Sequence, residues 1–125
     1  MARHRTPTLT DAELKLMRVL WDREEATVAE VHESLLAGQS VTYSTVQTLL
    51  RILEAKGYVA HTKPGRAFVY RPLIDRVQAR RRALSHLTAR LFDNSPSLLV
   101  LNLLEDERMD PNELQRLKKL IQDAR

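Results

Sequence analysis

The sequence predicts a mainly α-helical protein in which a winged helix-turn-helix domain, residues 1–73, is followed by a small all-helical domain, residues 74–125. Two observations predict the first domain: threonine-led capping signals open short helices, and a Pro-Gly turn then separates two short β-type runs. A third predicts the second domain, where leucines recur at helical spacing. An aromatic content of only 5% argues against a β-sandwich.

Composition excludes several classes of protein. The 125 residues include 43% hydrophobic and 29% charged residues, which is typical of a globular chain. We expect a cytoplasmic protein without membrane insertion, because there is no leader sequence and no apolar run of about 18 residues. The absence of cysteine excludes disulfides, thiolate metal sites and thiol nucleophiles. The four histidines lack close ligand spacing, so we expect no enzyme, no metal and no cofactor.

Positive charge is concentrated in the middle of the chain. Residues 41–71 and residues 72–92 each carry five Lys and Arg residues against one acid, a net charge of +4 per segment. The flanking segments, 1–40 and 93–125, are each −2. A localised positive surface suits a polyanionic partner, and chance clustering on a solvated surface is the alternative.

Two capping boxes predict the first two helices. Thr10 is followed three residues later by Glu13, and Thr27 is followed by Glu30. Each box precedes apolar residues at helical spacing, and Gly38 is expected to end the second helix. The apolar residues at this spacing in the first helix are Leu14, Met17, Leu20 and Trp21. Trp21 is expected to be a core residue, with a ligand role as the alternative. The inward-facing residues of the second helix are Val28, Val31 and Leu35.

A third helix is predicted to be half buried and half polar, with either Thr42 or Ser44 as its cap and Gly57 as its stop. Apolar residues at positions i, i+3, i+4 and i+7 define the buried face: Val46, Leu49, Leu50 and Leu53. The opposite face is small, polar and cationic: Ser44, Thr48, Arg51 and Ala55, flanked by Thr45 and Gln47.

A hairpin follows, with strands at 58–62 and 67–70 and a turn at Lys63-Pro64-Gly65-Arg66. Proline and glycine at the second and third positions suit a type II turn, and its two cations suit DNA phosphates. A solvated turn is the alternative.

The polar helix suits a DNA major groove. Thr45, Gln47 and Thr48 are candidates for base contacts, because hydroxyls and amides pair with base edges. Arg51 is predicted to bind either a guanine edge or a phosphate, with phosphate favoured. Ordinary helix surface is the alternative for the three base-contact candidates.

The second half predicts a homodimer. A helix from residue 74 carries a sparse apolar seam beside Arg80, Arg81 and Arg82, and this cluster is expected either to be solvated, to bridge a dimer or to contact phosphate. Two more helices open at Ser95-Pro96 and Asp110-Pro111. Their leucines are too many for so short a segment to bury alone, so a second copy should cover them. The predicted dimerisation residues are Leu98, Leu101, Leu104, Leu114, Leu117 and Ile121.

The chain resembles the BlaI/MecI/CopY family of bacterial winged-helix repressors along nearly its whole length. The first helix of that family is similar to Leu9-Thr10 followed by Glu13, Met17, Leu20 and Trp21. Its recognition helix is similar to Tyr43-Ser44-Thr45-Val46 through Leu53, Lys56 and Gly57, and its wing to Gly65-Arg66-Ala67-Phe68-Val69-Tyr70.

The resemblance implies a dimeric transcriptional repressor that binds a palindromic, double-stranded DNA operator. It adds Tyr43 to the predicted DNA contacts, which are then Tyr43, Ser44, Thr45, Gln47, Thr48, Arg51, Lys63 and Arg66. Copper-responsive members carry C-terminal cysteine clusters, and the absence of cysteine here argues against copper sensing. A winged-helix module that binds a protein partner without specific DNA binding is the alternative function.

The resemblance also bears on regulation. In antibiotic-responsive members, a membrane sensor metallopeptidase pathway leads to cleavage at an Asn-Phe bond in the dimerisation helix. The stretch around Asn102 and Leu103 is similar, with leucine in place of phenylalanine. Relief by cleavage there or by loss of dimerisation is therefore the expectation, and a plain core or helix-facing asparagine is the alternative.

Overall fold

The computed structural model describes residues 7–36, 41–105 and 110–123, with Leu36 and Ile121 described by their backbone alone. Contacts divide the chain into two compact units, Met1–Leu84 and Ser85–Arg125. In chain order the elements are α1 (Asp11–Arg23), β1 (Ala26–Thr27), α2 (Val28–Leu36), α3 (Tyr43–Ala55), β2 (Val59–Thr62), β3 (Val69–Pro72), α4 (Arg76–Leu91), α5 (Pro96–Glu105) and α6 (Pro111–Asp123). This order confirms the mainly α winged helix-turn-helix, with further helices following it in the chain.

Both predicted capping boxes are confirmed. The amide of Glu13 donates to Thr10 Oγ1 at 3.2 Å, and the amide of Thr10 donates back to Glu13 Oε1 at 2.8 Å. Thr27 and Glu30 repeat the arrangement with the same two distances. Each box satisfies two amides that the first turn of a helix leaves without a backbone partner. The predicted stop of α2 at Gly38 lies outside the described residues.

Helix α3 begins and ends with local hydrogen bonds. Thr42 is its cap, since Thr42 Oγ1 accepts from the amide of Thr45 at 3.2 Å, so the alternative cap, Ser44, lies inside the helix. At the other end Gly57 has a positive φ of 83°, as predicted for a left-handed stop. The amide of Gly57 donates to the Glu54 carbonyl and that of Tyr58 to the Leu53 carbonyl, which together form a Schellman motif.

The core of the first unit lies between α1, α2, α3 and the sheet. Val46, Leu50 and Leu53 project from α3 into it and are fully buried, as predicted, and Leu49 packs at its edge. Burial on this scale, about 1.5–3 kcal/mol for each large aliphatic side chain, anchors one face of α3 and leaves the other outward. The other fully buried large side chains are Leu16, Met17, Leu20, Val31, Tyr58 and Val59.

The sheet has three antiparallel strands in the order β1-β3-β2, one more than predicted. The extra strand, β1, has only two residues, and it pairs Ala26 with Tyr70 and Thr27 with Val69. The predicted type II turn is wrong, because that turn needs a positive φ at Gly65, and Gly57 is the glycine with a positive φ in the described ranges. The second wing strand also begins later than expected, at Val69, so a six-residue loop, 63–68, joins β2 to β3.

The N-terminal part of α4 belongs to the first unit. Trp21 Nε1 donates to the Ile74 carbonyl at 2.8 Å, and the Arg76 guanidinium pairs with Asp22 of α1. The first compact unit therefore extends to Leu84, whereas the limits 1–73 and 74–125 for DNA reading and dimerisation stay a prediction.

The second unit contains the end of α4 together with α5 and α6. As predicted, Ser95 caps α5, its Oγ accepting from the amide of Leu98 at 3.1 Å, and Asp110 accepts from the amide of Asn112 at the start of α6. Among the described residues of this unit, none is buried. The leucines of one chain therefore do not enclose a core in this part of the molecule.

Within the described ranges, no helix combines the length and the apolar character that crossing a membrane requires.

Candidate nucleic-acid interface

The outward face of α3 carries the predicted base-contact residues. Ser44, Thr45, Thr48 and Arg51 are exposed, and Gln47 is half-buried at the side of the helix. They share a face because the buried residues Val46, Leu50 and Leu53 occupy the opposite one. The helix thus presents hydroxyls, an amide and a guanidinium, the groups that pair with base edges and phosphates in a major groove.

Hydroxyl groups cluster at the N-terminus of α3. Thr42 Oγ1 lies 2.8 Å from Thr45 Oγ1 and 3.3 Å from Ser44 Oγ. A hydroxyl has one donor and two acceptor positions, so each can keep this contact and still bind an outside group. Thr42, predicted only as a helix cap, therefore also orients two of the candidate DNA contacts.

Tyr43 is oriented by a histidine that the sequence analysis did not single out. His32 Nε2 donates to the Val41 carbonyl at 2.8 Å, which fixes the direction of the imidazole ring. The ring of Tyr43 meets it edge to face at 5.9 Å between centroids. Tyr43 is nevertheless 47% exposed, so its hydroxyl end is available to a partner.

Arg51 provides the positive charge on this face. It forms no salt bridge with any residue in the described part of the chain. Glu54, one turn further on, is engaged by β2, since His61 Nδ1 lies 2.8 Å from both of its carboxylate oxygens. Arg51 is therefore free to bind an external anion.

The wing carries a second set of cations. Lys63 Nζ lies 5.1 Å from the centroid of the Phe68 ring, which meets the His61 ring edge to face at 4.9 Å. His61 also packs on Tyr70, whose phenol pKa is raised, mainly by burial and further by the charge of Glu54. Contacts therefore run without a gap from Glu54 on α3, through His61 and Phe68, to Lys63 at the wing.

Arg66 lies exposed in the same loop and has no partner among the described residues. The structure thus brings the predicted contacts into two groups, one on α3 and one on the wing. The supporting position of His61 was not predicted from the sequence. Only the period-2 spacing of Phe68 and Tyr70 hinted at an aromatic group there.

The three consecutive arginines of α4 have different surroundings. The guanidinium of Arg82 lies 4.9 Å from the Tyr58 ring centroid, a cation–π contact that covers a core residue. Arg80 lines a cleft beside α1, and Arg81 is exposed. Phosphate contact by this cluster stays a prediction.

The predicted dimerisation residues lie on α5 and α6 and keep much of their surface accessible. Leu101 is 51% exposed and Leu117 is 40% exposed, whereas Leu98, Leu104 and Leu114 are half-buried; the side chain of Ile121 lies outside the described residues.

Asn102, at the predicted cleavage bond, is exposed and donates through Nδ2 to the carbonyl of Leu98 at 2.8 Å, and Leu103 beside it is exposed. Asn102 is therefore not a core residue, and cleavage beside it stays a prediction.

In the ranges that the structure describes, no three His, Asp or Glu side chains are grouped closely enough to hold a metal ion.

The chain is similar to a known family of proteins. The family model described as "Penicillinase repressor" matches residues 9–123. The Penicillinase repressor of Bacillus licheniformis is 31% identical over 117 residues, which cover 94% of this chain and 91% of that protein.

Two solved structures are similar to part of the chain. The solution structure of the DNA binding domain of the repressor BlaI has a TM-score of 0.53 at 37% identity, covering 61% of this chain and 93% of that one. The monomeric form of Bacillus licheniformis BlaI in complex with the blaP half-operator has a TM-score of 0.51 at 38% identity, covering 59% and 90%. On the match across residues 9–123, the chain belongs to the penicillinase repressor family of BlaI and MecI.

Proposed function

We propose that this protein is a homodimeric transcriptional repressor that inserts α3 into the major groove of a palindromic operator and places the wing against the flanking phosphates. The observation that carries the proposal is the outward face of α3, where exposed polar and cationic side chains lie opposite fully buried apolar residues. The solved complex of the relative with a half-operator supports DNA as the partner.

The two groups of residues have different roles in this proposal. Thr45, Gln47 and Thr48 provide sequence preference, because they can pair with base edges. Arg51, Lys63 and Arg66 provide affinity through phosphates, with Tyr43 and Ser44 contacting the DNA at the start of the helix. Phosphate contacts respond to salt and not to sequence, so the two roles can be separated by experiment.

Dimerisation is the second part of the proposal. One winged helix makes few contacts, and two half-sites on one face of a duplex lie about 34–36 Å apart, or a multiple of that distance. A dimer held by the leucines of α5 and α6 would set that spacing. The absence of buried residues in the described part of Ser85–Arg125 supports this, because exposed leucines in such number require a cover.

Relief of repression is proposed to act on the same leucine-rich segment, through cleavage beside Asn102 or loosening of the dimer. The exposed Asn102 and Leu103 support access to this bond. Cleavage would be the endpoint of a pathway that begins at a membrane sensor metallopeptidase, while the repressor itself acts in the cytoplasm.

Binding to a duplex from the region upstream of the protein's own gene tests the proposal. Fluorescence anisotropy would compare this duplex with a shuffled duplex of equal length and composition at several salt concentrations. We expect the natural duplex to be preferred by a factor of about 10³ or more. The triple variant T45A/Q47A/T48A should lose most of that preference, and K63Q/R66Q should weaken both duplexes equally.

Two results of the binding experiment would contradict different parts of the proposal. A folded dimer that binds neither duplex at low salt would contradict DNA binding and favour the protein-interaction alternative. A dimer that binds both duplexes equally would retain the phosphate contacts and exclude sequence-specific reading by α3.

A further inference from the structure

A cleft of about 320 Å³ lies between α1 and α4 within the first unit, away from the outward face of α3. We propose that this α1–α4 cleft binds a small organic anion that has an apolar body and one carboxylate. The proposal does not rest on DNA binding. The volume of the cleft falls in the range of small-molecule sites, which are about 300–1,000 Å³.

The α1 side of the cleft is mostly apolar. Leu14, Arg18 and Trp21 follow one another at positions i, i+4 and i+7 of α1, and Leu9 precedes the helix on the same side. Trp21 is held in place, because its Nε1 donates to the Ile74 carbonyl at 2.8 Å. Two leucines and a fixed indole ring therefore offer a preformed surface for an apolar group.

The α4 side alternates cations with small residues. Arg76, Ala79, Arg80 and Ala83 stand at i, i+3, i+4 and i+7, so they share one face of the helix. The two alanines keep the space open, since a longer aliphatic side chain at either position would extend toward α1. No role for these alanines could be predicted from the sequence, because alanine is a common helix former.

Charge identifies the class of ligand. The lining contains three guanidinium groups and no acid. Arg76 is committed, since it pairs with Asp22 and lies 5.4 Å from the Trp21 ring centroid. Arg18 and Arg80 have no hydrogen-bond or ion-pair partner among the described residues. Two uncommitted guanidinium groups beside an apolar floor match a carboxylate attached to an apolar body.

The position of the cleft suggests what its ligand does. Helix α4 continues without a break from Arg76 to Leu91, so it leaves the first compact unit and enters the second. A ligand that joins the first turns of α4 to α1 would stiffen the helix that runs from the first unit into the second. Ligand binding itself is independent of the proposed function, and only this consequence rests on it: under that function, occupation of the cleft would alter operator binding.

Trp21 provides a direct assay, because it is the single tryptophan of the chain and lines the cleft. The probe is cyclohexanecarboxylate, which does not absorb in the tryptophan region, and the comparison compounds are cyclohexanecarboxamide and acetate. The full-length protein is titrated without DNA. We expect a saturable change in Trp21 emission with the carboxylate, and no saturable change over the same range with the neutral amide or with acetate.

Variants of residues that line the cleft test whether the change in Trp21 emission arises from binding there. R18Q/R80Q should raise the Kd of the carboxylate about tenfold or more, since charge-assisted hydrogen bonds contribute about 1.5–3 kcal/mol. Ala83→Leu should abolish binding by filling the space. Arg81→Gln is the matched control, because Arg81 belongs to the same arginine run but does not line the cleft, and it should leave Kd unchanged.

Three results would overturn the proposal. These are an equal response to the amide, an R18Q/R80Q variant that binds like the wild type, and a wild-type chain without any saturable change. Circular dichroism of each variant shows whether it is folded, and Ala89→Leu, at an exposed position further along α4, controls for the added side chain. The readout is ligand binding alone, so it is independent of whether the protein represses transcription.

Discussion

Lys56 Nζ, just beyond α3, lies 2.7 Å from Oε1 of Glu13 in the first turn of α1, with the two side chains only 5% and 3% exposed. The same ammonium group donates to the carbonyl of Thr8 at 3.0 Å, and Glu13 also accepts from the amide of Thr10. This buried ion pair joins the end of α3 to the start of α1.

Glu13→Ala should lower the free energy of unfolding by about 3–5 kcal/mol, because it leaves the Lys56 ammonium buried without its carboxylate. The double variant E13A/K56M removes the stranded charge and should be more stable than E13A alone. Urea unfolding followed by circular dichroism measures both. A loss in E13A below about 1 kcal/mol, the range of a surface pair, would contradict the structural role.

Glu30 should make stability depend on acidic pH. The amide of Thr27 is the main cause that lowers the pKa of the Glu30 carboxyl below its ordinary value of 4.5, with the Thr27 hydroxyl and Arg23 acting in the same direction. A lowered pKa in the folded state favours the ionised form. Its contribution is therefore complete above about pH 4.5 and is lost as the pH falls through the folded-state pKa.

The variant Glu30→Gln tests this sign. Its deficit in unfolding free energy relative to the wild type should be constant above the ordinary pKa and should shrink in more acidic solution. Glu33→Gln is the control, since Glu33 is exposed on the same helix and has no hydrogen-bond partner among the described residues. A deficit for E30Q that grows on acidification would contradict the prediction.

Arg51→Ala should weaken binding to specific and shuffled duplexes by the same factor. The reason is that Arg51, which has no ion-pair partner in the described ranges, is expected to hold a phosphate. The slope of log affinity against log salt should fall in magnitude by about one. If specific binding alone weakens, by about 1–3 kcal/mol, Arg51 reads a base edge instead.

His61→Ala should weaken DNA binding although His61 itself is not a predicted contact. Removing the imidazole separates Phe68 from Glu54 and leaves Lys63 without an oriented ring beneath it. In anisotropy measurements the double variant H61A/K63Q should lose less than the sum of the two single losses, because both act through one wing contact. Strict additivity would show that His61 does not position Lys63.

Leu117→Glu should convert the dimer to a monomer in sedimentation equilibrium. A charge at this 40% exposed leucine of α6 would be buried unpaired if a second copy covers it. Lys118→Glu, on the same helix at an exposed position, is the matched control and should stay dimeric. A monomeric wild-type chain at micromolar concentration would contradict the proposed assembly.

Patterns that depend on neighbours in the sequence were predicted well. The capping boxes at Thr10 and Thr27 and the glycine stop at Gly57 involve residues within a few positions of one another, so local rules are sufficient. The buried face of α3 followed equally from the 3.6-residue period. The same periodicity separated the outward face of that helix, where the predicted base contacts lie.

Features that depend on distant residues could not be predicted. Glu13 and Lys56 are 43 positions apart, and neither has a local signal for ionic burial. Strand β1 has two residues, too few for any alternation, and exists because β3 offers a free edge. The type II turn predicted from Pro64 and Gly65 does not form. The strands pair only up to Thr62 and Val69, so the connecting loop is longer than a four-residue turn, and Gly65 does not adopt the positive φ that a type II turn needs.

Only three residues, Lys56, Gly57 and Tyr58, separate α3 from β2, and the Schellman motif fixes their backbone. The interval between α3 and the wing is consequently set when the chain folds, and under the proposed function it does not adjust to the DNA. An operator whose backbone lies at a different distance must bend or change its groove width to meet both elements. Base pairs that no side chain touches would then influence affinity through their stiffness, which is shape readout of DNA.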